Sequence, residues 1–282
     1  MTGLLTFLRE QKLGAAAGFV ILAMLLAGIF ADWVAPYDPL EINFGDMLAA
    51  PGASHWLGTD GFGRDILSRI IYGARTALAM GFLASMLGCT VGALAGIASA
   101  YYGGAIDAVI QRMVDTMLSF PLIFLALITL SMLGRNVVAG IDVNLAIAIA
   151  LPIMPNVARV IRSSALTIRT LPYIDAARSS GFTDARIILR HIAPNVVAPF
   201  MILLTAFIAQ AILLEAALSF LGLGVAEPTP AWGLMLSGNA ADFYREAPWI
   251  IAFPGLAISI AVFAFNFLGD SLRDWLDPKL RA

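Results

Sequence analysis

Long apolar stretches separated by short polar segments dominate the chain. An α-helix needs about 20 apolar residues to cross the hydrocarbon core of a bilayer. Six stretches approach or exceed that length, at residues 14–35, 76–100, 114–134, 143–161, 197–222 and 248–268. The pattern predicts an all-α integral membrane protein with six transmembrane helices.

The composition agrees with this prediction. Of the 282 residues, 60% are hydrophobic and 13% are charged, whereas soluble domains carry about 25% charged residues. The first apolar stretch is longer than the roughly 7–15 residues of a signal-peptide core and lacks an A-x-A site, so we expect an uncleaved anchor. Membrane lipid is an expected partner, and no basic tract interleaved with aromatic residues indicates nucleic acid.

Basic residues are divided unequally between the two sides of such a bundle. With the N-terminus inside, twelve of the 17 Lys and Arg residues fall on the inner side and five on the outer side. The inner set is Arg9, Lys12, Arg112, Arg159, Arg162, Arg169, Arg178, Arg186, Arg190, Arg273, Lys279 and Arg281; the outer set is Arg64, Arg69, Arg75, Arg135 and Arg245. Basic loops favour the cytoplasm, so both termini and the central loop are predicted to be cytoplasmic.

The polar segment before the second apolar stretch has helical periodicity. Its apolar stripe is Ile66, Leu67, Ile70, Ile71 and Ala74, and its other face carries Arg64, Asp65, Ser68 and Arg69. Two interpretations are open, a helix lying at the membrane interface and an amphipathic lead-in to the second span. Asp60 and Asp65, which flank Arg64, are expected to be surface or interface charges.

Small residues and prolines mark the spans themselves. Ala84, Gly88, Gly92 and Gly96 recur at four-residue spacing, which predicts close packing against another helix, within the chain rather than between subunits. Prolines predict kinks in the third span at Pro121, and in the fourth at positions 152 and 155.

The central polar loop has the pattern of two short helices. Pro172 suits a helix start, Gly181 suits the left-handed position after a helix end, and Thr183 or Asp184 is expected to cap a second helix that Pro194 ends. A loop retained inside by positive charge alone would not need this pattern. The loop is therefore interpreted as a docking surface for a soluble partner.

Two polar residues lie within the fifth apolar stretch, Gln210 and Glu215. An ionisable group in a span is a candidate functional site, so both are candidates for a substrate path. A structural role, in which Glu215 bonds to a neighbouring group, is the alternative.

Motifs of energy conversion and catalysis are missing from the sequence. It has no G-x-x-x-x-G-K-[ST] loop, and neither of its two lysines follows a glycine. It has no G-x-S-x-G or H-E-x-x-H motif, and only Cys89, His55 and His191 among Cys and His. The chain is predicted to be a conduit, not an enzyme, without its own cofactor or metal, and any source of energy must lie in another polypeptide.

The central loop resembles the EAA loop of ABC-importer permeases, whose pattern is roughly E-A-A-x3-G-x9-I-x-L-P. Asp175, Ala176, Ala177, Gly181 and Pro194 stand at the matching positions. The departures are Asp for the Glu of the pattern, His191 for Ile and Ala193 for Leu. The R-H-I-x-P-N ending is similar to the peptide/nickel subfamily.

Further segments resemble the C-type permease of dipeptide, oligopeptide and nickel importers. They are HWLGTDGFGRDILSRIIYGAR at 55–75, APYDP at 35–39, LLEAALSFLGLG at 213–224 and LRDWLDP at 272–278. The resemblance implies a type I ABC importer permease fold in the bacterial inner membrane. It also implies a B-type permease partner, two ABC ATPase subunits and an extracytoplasmic substrate-binding protein.

The resemblance also implies a domain division and coupling residues. Residues 1–75 contain the N-terminal tail, first span and extracytoplasmic segment; 76–270 form the type-1 permease core with a coupling loop at 159–195; and 271–282 form the tail. The expected ATPase-coupling residues are Asp175, Ala176, Ala177, Arg178, Gly181, Arg186, Arg190, His191 and Pro194. The three arginines among them either pair with ATPase carboxylates or only hold the loop inside.

The implied function is peptide import. Import of nickel or another small solute on the same scaffold is the first alternative. An autonomous secondary carrier or channel is the second, and it is disfavoured because several buried ionisable groups and internal repeats would then be expected.

Overall fold

The computed structural model describes residues 10–138 and 140–276, which are mainly helical. The α-helices are α1 (Lys12–Ile29), α2 (Ala31–Val34), α3 (Ile66–Tyr102), α4 (Gly104–Leu118), α5 (Leu122–Leu133), α6 (Val143–Arg169), α7 (Pro172–Ser179), α8 (Asp184–Ile187), α9 (Val197–Phe220), α10 (Trp232–Met235), α11 (Asn239–Phe243) and α12 (Trp249–Leu276). Ile188–Ile192 is a π-helix, and Phe44–Asp46 and Ala193–Val196 are 3₁₀ turns. Strands β1 (Val137–Val138) and β2 (Ile141–Asp142) pair antiparallel.

Within these ranges, five continuous helical segments are long and apolar enough to cross a membrane. They are α1, α3, α6, the run Asp184–Phe220 that contains α8 and α9, and α12. Helices α4 and α5 satisfy the same criterion together, and this pair is the sixth candidate span. The predicted all-α membrane bundle is confirmed, with five continuous candidate spans and a sixth formed by two helices.

The break in the third span is sharper than predicted. A kink at Pro121 was expected within one helix over 114–134, whereas α4 and α5 meet at 98°. The backbone of Pro121 is extended, with ψ of 137°, and this residue is the N-cap of α5. A proline also disfavours α-helical geometry in the residue before it, so the chain turns here instead of bending gently.

The small-residue stripe of α3 packs against α6. A Cβ added at Gly88 would lie 2.7 Å from the carbonyl oxygen of Ala150, and one at Gly92 would lie 2.5 Å from that of Met154. Real Cβ atoms do not approach so closely, so only glycine allows the two backbones to meet at this distance. The prediction of packing within the chain is confirmed.

Helix α6 is longer than the predicted fourth span. It continues through both of its prolines and ends at Arg169 instead of residue 161. Arg159, Arg162 and Arg169 therefore lie on this long helix, and their expected place in the polar stretch after the fourth span was wrong. Arg9, Lys279 and Arg281, part of the same inner set, lie outside the described residues.

The segment at 55–75 forms the lead-in to the second span. Asp65 is the N-cap of α3, and its carboxylate accepts a hydrogen bond from the backbone N–H of Ser68 at 2.8 Å. The apolar stripe that begins at Ile66 then continues without interruption into the long helix. Of the two interpretations, the amphipathic lead-in is confirmed, and the separate interfacial helix is wrong.

Candidate functional site

Residues 172–196, named here the helical hairpin, begin where the sequence predicted. Pro172 occupies the first turn of α7, where its missing N–H removes no helical hydrogen bond. After α7, Gly181 has φ of +76°, its N–H donates to the carbonyl of Arg178, and the N–H of Phe182 donates to the carbonyl of Ala177. This is a Schellman motif, which requires a left-handed residue at the glycine position. The predicted turn is confirmed.

The second half of the helical hairpin differs from the prediction. Thr183 is at the N-cap position of α8 but makes no side-chain capping bond. Pro194 does not end the helix, because the chain continues through the π-helix and the 3₁₀ turn into α9. The π-helix and the 3₁₀ turn change the register of the backbone hydrogen bonds around Pro194, and this change accommodates the N–H that proline lacks. The predicted stop at this proline was wrong.

The nine predicted coupling residues differ in their exposure to solvent. Exposed are Asp175, Ala176, Arg178, Gly181, Arg186, Arg190 and Pro194; His191 is half-buried and Ala177 is buried. Ala177 is buried, together with Ile174, Ile187 and Ile192, in the hydrophobic core of the bundle. The outer face therefore presents the acid, one small residue and the turn glycine together, while Ala177 serves the internal packing.

His191 is part of the internal packing on the other side of the helical hairpin. Its ring centroid lies 6.0 Å from that of Tyr173 and 6.2 Å from that of Phe182. Its Nε2 is buried without a hydrogen-bond partner in the described structure. Asn195 donates to the His191 carbonyl oxygen at 2.6 Å. The ring therefore supports the hairpin from within.

Several arginines of this region have partners within the chain. The Arg178 guanidinium lies 3.6 Å from the Asp175 carboxylate and 5.4 Å from the centroid of the Tyr101 ring. The Arg186 guanidinium lies 4.5 Å from the centroid of the Phe182 ring. Arg190 is exposed. Of the three arginines predicted at the docking surface, two already make attractive contacts inside the hairpin region.

The end of α6 is attached to the turn between α3 and α4. Arg162 makes two charge-assisted hydrogen bonds to Asp107, at 2.8 and 2.6 Å, and Arg169 donates to the carbonyl of Ala100 at 2.8 Å. A two-point guanidinium–carboxylate pair fixes both distance and orientation. The base of the helical hairpin is thereby fixed to the neighbouring helices.

A second set of charges lies at the opposite end of α3, and we name it the charged cluster: Asp60, Arg64, Asp65, Arg69 and Glu227. Arg64 Nε donates to Asp60 at 2.7 Å, and its Nη1 lies 3.3 Å from the carboxylate of Glu227. Arg69 is 1% exposed and donates to the carbonyl of Pro39 at 3.1 Å.

Asp60 and Asp65, which flank Arg64, were expected to be surface or interface charges, and the expectation of surface charges was wrong. All three are buried, because the segment at 35–65 folds over the start of α3. His55 Nδ1 lies 2.9 Å from the carboxylate of Asp65. Buried charges need partners, and the pairing seen here could not be deduced from spacing along the chain.

The two substrate-path candidates lie on α9. Glu215 is 1% exposed, and its Oε1 accepts a hydrogen bond from Ser219 Oγ at 2.6 Å. Ser219 Oγ in turn accepts from the N–H of Val225 at 3.1 Å, so the loop after α9 closes over the glutamate. Gln210 is half-buried.

A cavity of about 650 Å³ lies near this loop. It is lined by residues of α3, of the β1–β2 region and of segment 225–230, among them Arg75, Arg135 and Glu227. Its size suits a small ligand. Neither Glu215 nor Gln210 lines it, and no pattern in the sequence indicated that these three segments would meet.

The chain is similar to known proteins over almost its whole length. It is 42% identical over 275 residues to the dipeptide transport system permease protein DppC of Alkalihalophilus pseudofirmus, covering 98% of this chain and 88% of that protein. It is also 42% identical over 274 residues to the glutathione transport system permease protein GsiD of Escherichia coli, covering 97% and 88%.

A solved structure supports the fold. A chain of the inward-facing MetNI methionine ABC transporter superposes with a TM-score of 0.56 at 18% identity, covering 75% of this chain and 98% of that chain. At this identity the likeness concerns the fold alone.

Two family models match the sequence. Residues 5–51 match the N-terminal transmembrane domain of oligopeptide transport permease C, and residues 88–282 match the binding-protein-dependent transport system inner membrane component. The spanning helices and these matches together indicate a multi-pass protein of the inner membrane. The chain belongs to the family of binding-protein-dependent transport system inner membrane components, and it is a transport subunit rather than an enzyme.

Proposed function

We propose that this chain is the C-type permease subunit of an ATP-driven importer of small peptides in the bacterial inner membrane. Two relatives at 42% identity are named for dipeptide and glutathione transport, and both compounds are short peptides. The expected complex adds a B-type permease, two ABC ATPases and an extracytoplasmic substrate-binding protein. ATP and Mg bind in the ATPases, and both termini of this chain are cytoplasmic.

The helical hairpin is the proposed attachment point for an ATPase. One observation carries this proposal: Asp175, Ala176 and Gly181 are exposed on a hairpin whose Ile174, Ile187 and Ile192 are buried in the hydrophobic core of the bundle. An exposed surface anchored in the core can transmit force to the bundle, whereas a solvated loop would absorb it. ATP binding must favour one conformation of the bundle differentially for transport to occur.

For the substrate path, we propose that the cavity near Arg75 and Arg135 is one section. It is large enough for a small peptide and lies between segments of three different parts of the fold. Glu215 and Gln210 stay candidates for contact with substrate in a conformation that opens the packing around α9. Their present environment favours the structural role for Glu215.

Reconstitution tests the function directly. The chain is co-expressed with the other subunits, and ATP-dependent uptake of a labelled dipeptide, glutathione and Ni²⁺ is compared in proteoliposomes containing the binding protein. We expect peptide uptake that requires both the ATPases and ATP. Flux of the same solutes through the purified chain alone would instead indicate an autonomous carrier. Uptake of Ni²⁺ but not of peptide would indicate nickel, in place of peptides, as the substrate.

A further inference from the structure

Tyr101, the penultimate residue of α3, contacts both halves of the helical hairpin. Its hydroxyl donates a hydrogen bond to the Asp184 carboxylate at 2.7 Å, at the start of α8. Its ring faces the guanidinium of Arg178, near the end of α7, at 5.4 Å. Tyr101 is 5% exposed, whereas Asp184 and Arg178 are exposed, so a buried ring and hydroxyl hold two side chains of the exposed hairpin.

The backbone that connects the helical hairpin to α6 and to α9 departs from regular α-helix on both sides. Towards α6, the chain leaves the helix at Thr170 and becomes extended at Leu171, whose ψ is 141°. Towards α9, it passes through the π-helix and the 3₁₀ turn. Such departures from α-helical hydrogen bonding inside a long helical segment are common positions for hinges.

Helix α3 is suited to carry a displacement away from Tyr101. Its 37 residues are continuous, which corresponds to roughly 55 Å. Its glycine stripe lies against α6, and its far end begins at Asp65 in the charged cluster. A movement applied at Tyr101 therefore reaches the opposite end of the bundle through one helix.

We infer that Tyr101 is a positioning residue that fixes the helical hairpin to the end of α3, so that movement of the hairpin is passed directly to the bundle. This inference rests on the proposed function, because it assigns an added role to the ATPase attachment. Tyr101 is assigned no contact with ATP or substrate. It acts by holding Asp184 and Arg178 at fixed positions relative to α3.

The test is the ratio of peptide imported to ATP hydrolysed by the complete transporter in proteoliposomes. Tyr101→Phe removes the hydroxyl and keeps the ring under Arg178. We expect this ratio to fall about three- to tenfold, the range for loss of one hydrogen bond, while the amount and melting temperature of the complex stay unchanged. A merely structural tyrosine would lower abundance or melting temperature and leave the ratio intact, which would overturn the inference.

The neighbouring residue Tyr102 offers a matched control for Tyr101→Phe. Tyr102 is exposed, its ring meets that of Tyr101 edge-on, and its hydroxyl makes no hydrogen bond within the described part of the chain. Tyr102→Phe should therefore leave the ratio at the wild-type value. Equal losses in both variants would also overturn the inference.

Asp184 gives an independent variant from the hairpin side. Asp184→Ala should reproduce the loss, Asp184→Asn should largely retain the coupling because its amide oxygen still accepts the bond, and Tyr101→Phe combined with Asp184→Ala should lose no more than either alone. Additive losses would show that the two residues act separately. If Gly181 variants uncouple transport and the Tyr101 and Asp184 variants do not, only the role inferred for Tyr101 fails. If Gly181 variants have no effect, the proposed ATPase attachment fails as well.

Discussion

Arg162 and Asp107 form a two-point ion pair that joins the end of α6 to the first turn of α4. The same Asp107 carboxylate accepts a hydrogen bond from Ser99 of α3, so three helices meet at one carboxylate. The side chains of Arg162 and Asp107 are 28% and 23% exposed, which limits screening of the ion pair by solvent. This junction lies directly before the helical hairpin.

Replacing Arg162 by Lys should destabilise this junction, because an ammonium group cannot reproduce the planar two-point geometry. We expect a loss of roughly 1–2 kcal/mol in the free energy of unfolding, at the lower end of the values for hydrogen bonds to charged groups or just below them, because the lysine keeps part of the attraction. Denaturant titration of the detergent-solubilised complex measures it. Arg159→Lys is the control, since the Arg159–Asp115 pair is 57% and 58% exposed and its loss should cost less than about 1 kcal/mol. Equal losses would contradict the assignment.

Gly181→Ala should uncouple ATP hydrolysis from uptake while the protein still inserts. No atom lies within 4 Å of the added Cβ, so the effect comes from the left-handed backbone, which costs a residue with Cβ about 1–2 kcal/mol. Uptake and ATPase rates measured together report it, and Gly181→Asn should be milder.

Gly134→Ala is the control for this prediction. Gly134 has φ of +67° and equally open surroundings, but it ends α5 outside the helical hairpin. Its ψ of −161° lies in a region restricted to glycine, so alanine there should carry at least as much strain, without uncoupling. Normal coupling in Gly181→Ala at normal abundance would refute the docking role.

Gly92→Ala should lower the amount of assembled protein, because its Cβ would lie 2.5 Å from the carbonyl oxygen of Met154. Helix α3 would have to move away from α6, and overpacking of this kind costs about 1–3 kcal/mol. Quantitative immunoblots of membranes give the readout. Gly18→Ala on α1 meets nothing within 4 Å and should be neutral; a neutral Gly92→Ala would show that the contact yields easily.

Glu215→Gln should preserve both assembly and uptake. The amide oxygen of the glutamine can still accept the hydrogen bond from Ser219 Oγ. This hydrogen bond does not require an ionised group in the span. Glu215→Ala should reduce assembly, because it leaves the Ser219 hydroxyl without this acceptor. Reduced uptake by Glu215→Gln with assembly intact would place this residue in the substrate path.

The sequence by itself determined the elements whose signals are local. Apolar length predicted the spans, and the small-residue spacing on α3 predicted a close helix contact. Pro172 and Gly181 predicted the start and the turn of the helical hairpin, because each restricts the backbone at its own position. Asp175 was singled out by the resemblance of the loop to the EAA pattern.

Only the tertiary structure decided which distant groups meet. The pairing of Arg64 with Glu227, of Arg162 with Asp107, and of Tyr101 with Asp184 joins residues 163, 55 and 83 positions apart. A charge or a hydroxyl carries no local signal of its partner, since the favourable energy depends on distance and burial in the folded chain. For the same reason, the burial of Ala177 and the change of helix type around Pro194 followed from packing and could not be predicted from spacing.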